Sequence, residues 1–386
     1  MGLPFNEVIC GDCSEVMRTW PADSVDLVVT SPPYWGLRDY GAETIRIWGG
    51  LPECDHEWEG IVKHRSAGGP QVPQSINPRN ISVVKAQRDT ISNLCSKCGA
   101  WRGSLGLEPH PQLFIDHLVE ICGDIKRVLK PTGTFWLNLG DTFYGSGGKG
   151  GQYEKFMTEK GQPAHYRQSS KARSNWLQPK QKLMMPARIA IALQHDGWIL
   201  RSDIIWHKPN HMPSPVKDRL TTAYEHVFLF AKARRYYFDL DAIRQPHKDA
   251  SLKRYKSSLK IYGNKDDGAS RNDFGREMQD AWSPLGKNPG DLWRIPTKPF
   301  PAAHFATFPP KLIEPIVKAG CPEKGVVLDP FCGSGTALRV ARRLGRRFIG
   351  IDMVPEYVEM AHRRVRGDRY REPPEGVDIL DKKVRR

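Results

Sequence analysis

No stretch of the 386-residue sequence is apolar for long enough to cross a bilayer, and the opening MGLPFNEVICGDC has neither a basic region nor a long apolar segment. The expectation is a soluble, intracellular protein. Acidic residues are scarce beside basic ones, 43 Asp and Glu against 58 Lys and Arg, which gives a formal charge of +15. A small neutral substrate does not call for that imbalance. A polyanion does, nucleic acid first and an anionic membrane surface second. Only eight cysteines are spread over the chain, and in a reducing compartment such cysteines are free thiols or metal ligands more often than disulfides. Internal repeats are absent, and the short GSGGKGG is the only biased tract.

What is present has the rhythm of an α/β protein. Strand-like runs recur at VDLVV, GTFWLNL, WILRSDIIW, EHVFLFA, GVVLD and RRFIGID, with helix-like runs between several of them. One such run, LFIDHLVEICGDIKRVLK, is expected to end at Pro131-Thr132-Gly133; another starts on Pro186 and stops at Gly197. Strands alternating with helices favour a doubly wound, mostly parallel sheet. Three polar stretches break the rhythm, at about 41–109, 145–182 and 245–300, and read as insertions. Between Lys149 and Lys182 eight basic residues face two Glu, with Tyr153, Phe156, Tyr166 and Trp176 among them. Basic loops bearing aromatics suit a phosphate backbone with exposed bases nearby.

Two corners carry chemistry. VDLVVT runs straight into Ser31-Pro32-Pro33-Tyr34, where the prolines can donate no hydrogen bond and the strand must stop. The corner offers a hydroxyl, a fixed carbonyl and an aromatic face. GVVLDPFCGSGTALRVARRLG is a strand, a glycine-rich turn and a helix, followed by RRFIGID ending on Asp352. Gly333 and Gly335 let backbone approach a ligand, the helix offers unpaired N–H groups, and Asp352 is placed to accept from ribose hydroxyls. This reads as a cradle for a nucleotide cofactor, and since no Gly-Lys-Ser/Thr is present it is not built for a triphosphate.

DPFCGSGT together with TSPPYW resembles the amino-methyltransferases of DNA, which move the methyl group of S-adenosylmethionine to an exocyclic amine of cytosine or adenine. The catalytic motif precedes the cofactor motif, as in the circularly permuted β class. The resemblance implies a seven-stranded Rossmann-like methyltransferase sheet with inserted zinc-binding and target-recognition segments. It implies that Asp329, Phe331, Gly333, Ser334, Gly335 and Thr336 line the cofactor, with Asp352 at its ribose, Asp12 facing the adenine and Thr307 near the methionine part. Ser31, Pro32, Pro33 and Tyr34 would then be catalytic. Ser31 and the Pro32 carbonyl would hold the two amine hydrogens and aim the nitrogen lone pair at the methyl group. Tyr34 would stack on a base flipped out of the duplex. Ser at the first position resembles the cytosine-N4 branch, with adenine N6 as the alternative and an inactive DNA-binding module behind it. A ring-carbon methyltransferase needs a nucleophilic cysteine, usually after proline, and no Pro-Cys dipeptide occurs. Trp35 is as fit for packing as for function, and Cys332 is not expected to be a nucleophile. Double-stranded DNA is the implied partner, no membrane is, and a cognate restriction endonuclease is a candidate. The setting would be the cytoplasm of a bacterial or phage-infected cell.

The chain divides on this reading into residues 1–40 with the catalytic corner, a zinc insertion at 41–109, core at 110–244 with the basic loop 145–182, a target recognition region at 245–300, cofactor-binding core at 301–367, and a basic tail at 368–386. The zinc expectation comes from Cys54 with His56 and Cys95 with Cys98: three thiols and one imidazole can close a tetrahedral structural site, although the gap between the pairs is long. Cys10 and Cys13 form another Cys-x-x-Cys but have no partner pair.

Overall fold

The structure, a computed structural model, describes residues 2–58, 61–62, 90–91, 93–144, 177–178, 180–262, 282–297 and 308–367. Most of the basic loop 145–182, much of the region 245–300, Thr307 and the tail 368–386 lie outside them. In chain order the elements are β1 (Glu7–Cys10), α1 (Cys13–Arg18), β2 (Val25–Thr30), β3 (Ile45–Trp48), β4 (Ile61–Val62), β5 (Thr90–Ile91), β6 (Trp101–Ser104), α2 (Pro111–Val128), β7 (Leu129–Leu139), α3 (Met185–His195), β8 (Ile199–His207), β9 (Tyr224–Ala231), α4 (Asp249–Tyr262), β10 (Leu292–Arg294), α5 (Pro310–Gly320), β11 (Val326–Asp329), α6 (Thr336–Arg343), β12 (Arg347–Asp352) and α7 (Pro355–Arg366).

The described residues fall into two compact units. The first is built from the described parts of Met1–Pro32 and Pro186–Lys383 together with Val119–Gly140; the second from the described parts of Pro33–Leu118 and Asp141–Met185.

In the first unit eight strands form one sheet in the order β1-β12-β11-β2-β7-β9-β8-β10. β9 alone runs antiparallel to its neighbours; every other pairing is parallel. The expected seven strands are thus present and an eighth extends the edge. β10 comes from the 245–300 region, three residues too short to show an alternation. It is held by Trp293, which is buried, packs 6.3 Å from Trp136 and donates from Nε1 to the Gly290 carbonyl at 2.9 Å.

Burial on both faces explains why β2 reads as a continuous apolar run: all six of its residues are buried. Successive residues point to opposite faces, so Leu27 and Val29 join a core with Leu312, Ile316, Val327 and Leu338. The helix expected to reach Lys130 stops at Val128, because Leu129 already pairs with Val25 in the sheet.

One charge interrupts the apolar strand. Asp26 is 8 % exposed; its Oδ1 accepts from Lys130 Nζ at 2.7 Å and its Oδ2 from the Val326 backbone N–H at 2.9 Å. The carboxylate therefore pins β2 to the start of β11. Asp26→Ala leaves that N–H unsatisfied and should cost about 1–3 kcal/mol of stability, read as a lower urea midpoint.

Candidate active site and metal cluster

β2 and β11 are neighbours, and Thr30, at the end of β2, donates from Oγ1 to Asp329 Oδ1 at 2.7 Å. The same oxygen accepts from the Phe331 backbone N–H at 3.2 Å, which bends the chain into the glycine-rich turn. Gly333 and Gly335 have φ of 48° and 72°, where a β-carbon strains the backbone. At Gly335 a β-carbon would also lie 2.9 Å from that of Ala361. Asp352, at the end of β12, accepts from Gly333 N–H at 2.9 Å through Oδ2 and from Val354 N–H at 3.0 Å through Oδ1. One carboxylate thus ties two turns together. Burial pushes the Asp329 carboxyl up to about 7 and raises that of Asp352.

Ser334 and Thr336 have a task that the sequence reading missed. The Arg364 guanidinium on α7 donates to the Ser334 carbonyl and hydroxyl and to the Thr336 hydroxyl at 2.8, 2.6 and 3.0 Å. Asp12 caps α1, its Oδ1 accepting from the Ser14 and Glu15 N–H groups, and it follows Cys10, which pairs in register with Asp352. Cys332 is buried, and that burial raises its thiol well above the ordinary range.

Ser31 lies one residue beyond Thr30. Its Oγ is 3.3 Å from the Nδ2 of Asn138 on β7, which also donates to Glu225 Oε2 on β9 at 3.0 Å, and Glu225 pairs with Lys208. This polar row crosses the ends of adjacent strands. Ser31, Pro32, Asp12, Asp329, Phe331, the turn Gly333–Thr336 and Asp352 all belong to the first unit. Pro33 and Tyr34, both half-buried, belong to the second. There Trp35 is buried and donates from Nε1 to the Glu108 carbonyl at 3.0 Å, a packing role.

Also in the second unit, one ligand atom each of Cys54, His56, Cys95 and Cys98 lies within 4.8 Å of the others. Cys54 Sγ is 3.9 Å from Cys95 Sγ, and Cys98 Sγ is 3.4 Å from His56 Nδ1. The antiparallel pair β3 and β6 explains how distant pairs meet, since Trp48 and Trp101 stand opposite each other. A tetrahedral zinc with bonds of about 2.3 Å sets its sulfurs ~3.8 Å apart. The donor set fits, with four protein ligands and no open position. Cys10 and Cys13 are not part of any such cluster among the described residues.

Protein purified without chelator should carry about one zinc per chain, and Cys95→Ser should abolish it; metal analysis decides. Asp329 provides a second expectation. Its folded value of about 7 lies above the ordinary 3.8, so between those limits the folded protein holds a proton that the unfolded chain has released. Stability therefore falls as pH rises through this window. Asp329→Asn should flatten the slope by about 1.4 kcal/mol per pH unit, measured by urea unfolding from pH 4 to 7.

The DNA methylase family model matches residues 25–363. The type II methyltransferase M.Cfr9I of Citrobacter freundii is 34% identical over 358 residues, 93% of this chain and 87% of that protein. M.SmaI of Serratia marcescens, also a type II methyltransferase, is 32% identical over 359 residues, 93% of this chain and 90% of its own. Among solved structures the PvuII DNA methyltransferase, described as cytosine-N4-specific, superposes with a TM-score of 0.51 at 18% identity, covering 92% of this chain and 88% of that one, a likeness of fold. With a family match over most of its length and relatives above 30% identity across nearly all of it, the chain belongs to the N6/N4 DNA methylase family.

Proposed function

We propose that the protein is a type II, site-specific DNA methyltransferase that moves a methyl group from S-adenosylmethionine to the exocyclic N4 of cytosine in duplex DNA. The observation that carries this reading is the Thr30–Asp329 hydrogen bond, which holds the Ser-Pro-Pro-Tyr strand beside the strand of the glycine-rich turn. The named relatives, M.Cfr9I and M.SmaI, are type II methyltransferases, and the PvuII enzyme acts on cytosine N4. Adenine N6 is the alternative, because an amine with two hydrogens presents the same geometry in both bases.

S-adenosylmethionine supplies an electrophilic methyl group on a sulfonium. The chain's own residues do the rest. The turn Gly333–Thr336 and Asp352 would hold the nucleoside, with Asp12, Asp329 and Phe331 beside it; Thr307, expected near the methionine part, lies outside the described residues. A cytosine amine is a poor nucleophile, since its lone pair is delocalised into the ring. Ser31 Oγ and the Pro32 carbonyl accept its two hydrogens and localise that pair, and the fixed acceptors need no reorganisation during transfer. Asn138, donating to Ser31 Oγ, restricts the hydroxyl's orientation. Pro33 stiffens the corner and Tyr34 stacks on the flipped base.

Target recognition is assigned to 245–300. Its described part includes α4, whose Lys253, Arg254 and Lys256 are exposed. Trp282 is sandwiched between His247 and Tyr255 at 3.9 and 3.8 Å, which gives that helix a fixed anchor. Cys54, His56, Cys95 and Cys98 would hold zinc in a purely structural role within 41–109. A restriction endonuclease reading the same site in a bacterial cytoplasm fits the type II relatives.

Ser31→Ala should lower methyl transfer by about 100-fold while changing DNA affinity little. Tritiated methyl transfer and filter binding measure the two. Equal losses in both would remove Ser31 from catalysis, and nucleoside chromatography of the methylated DNA separates N4-methylcytosine from N6-methyladenine.

A further inference from the structure

Neither motif includes the loop that grips the segment carrying Tyr34. The Gly106 carbonyl accepts from Gly36 N–H at 2.6 Å, and the Glu108 carbonyl accepts from Trp35 Nε1 at 3.0 Å. Gly106 has φ of 91°, and a β-carbon there would lie 3.0 Å from the Tyr34 carbonyl oxygen and 3.3 Å from Pro33 Cβ. The loop is therefore in close contact with the turn on both sides of the tyrosine. What fixes the loop is the Glu108 side chain: Oε2 accepts from Gly106 N–H at 2.8 Å, and Oε1 stands 3.1 Å from His117 Nδ1.

Both side chains are buried, Glu108 at 4 % exposure and His117 at 5 %. The imidazole stacks on Trp48 at 4.3 Å and on Trp101 at 5.6 Å, each inclined by 17°, so two indoles restrain its ring plane. A carboxyl group sequestered from water in this way is costly unless its hydrogen bonds are made, and here they are made to the loop and to a clamped ring.

We propose that Glu108 is a positioning residue for methyl transfer, which, oriented by His117, holds the Pro33–Gly36 turn so that the Tyr34 ring meets the flipped base. The assignment rests on the base-stacking role given to Tyr34 above. Burial pushes the Glu108 carboxyl up to about 8 and the His117 imidazole down to about 3, the latter helped by Arg46. Near neutrality both groups are thus favoured in their neutral forms, and Glu108 Oε1–H can donate to an unprotonated Nδ1. Glutamine reproduces this pattern: its amide donates to Nδ1 while its oxygen accepts from Gly106 N–H. Alanine does neither.

The test is a double-mutant cycle on single-turnover methyl transfer at saturating cofactor and DNA. Glu108→Ala should slow transfer roughly 10-fold or more, with Glu108→Gln restoring it to within about 3-fold of the parent. If Glu108 acts through the tyrosine, Tyr34→Ala with Glu108→Ala should be no slower than Tyr34→Ala alone. A DNA duplex with 2-aminopurine at the target position adds a spectroscopic readout: Glu108→Ala should give the brighter, unstacked signal of Tyr34→Ala. His117→Phe keeps the ring stack and removes Nδ1, so it gives the same reading if the alanine variant does not fold. Losses that multiply, or a glutamine variant as slow as the alanine one, would overturn the proposal while leaving an active methyltransferase. Absence of methyl transfer by the parent protein would overturn both this assignment and the function on which it rests.

Discussion

The hydrogen bond from Thr30 to Asp329 joins residues 299 positions apart in the chain. Everything proposed for the site depends on it. It ties the last residue of one strand to the last residue of its neighbour, so the two corners that follow, one of serine and prolines and one of glycines, open at the same edge of the sheet. Because Asp329 is shielded from water, the bond is made in surroundings where few competing partners exist. Asp26 makes the equivalent tie at the other end of the pair, accepting from the first residue of β11. β2 and β11 are thus pinned at both ends.

Around that pair the polar residues work mostly on one another. Asp352 straps two turns, Arg364 engages the hydroxyls of Ser334 and Thr336, and Asn138 links Ser31 to Glu225. Groups that a motif reading assigns to a ligand are here held first by the protein. Such contacts set geometry before a ligand arrives, which is what a reaction that depends on aiming one lone pair requires.

The sheet and both corners were legible because their signals are local. A strand buried on two faces is mostly apolar, and a turn with φ near 50° to 70° favours glycine, so VDLVVT and DPFCGSGT announce themselves. The metal cluster was legible in its residue types but not in its closure, which needs Trp48 to face Trp101 across a pair of strands. The supporting residues were not legible. Asn138 and Glu225 lie 87 positions apart, and Glu108 and His117 are single polar residues whose partners exist only in three dimensions. Asp26 was passed over as well, a lone charge inside a run read as apolar, because its partners Lys130 and Val326 are distant in the chain. The eighth strand was missed for a different reason, since three residues cannot display a period.

The order of strands along the polypeptide has a consequence for biosynthesis. β2 is made some 300 residues before its partner β11. At about 5–20 residues per second a ribosome needs roughly 15–60 s to supply that partner. During that interval a largely apolar strand has one unpaired edge and one of its covering layers missing. The nascent polypeptide therefore exposes apolar surface in the meantime, and the sheet edge that carries the glycine-rich turn is completed only once β11 and β12 have left the exit tunnel.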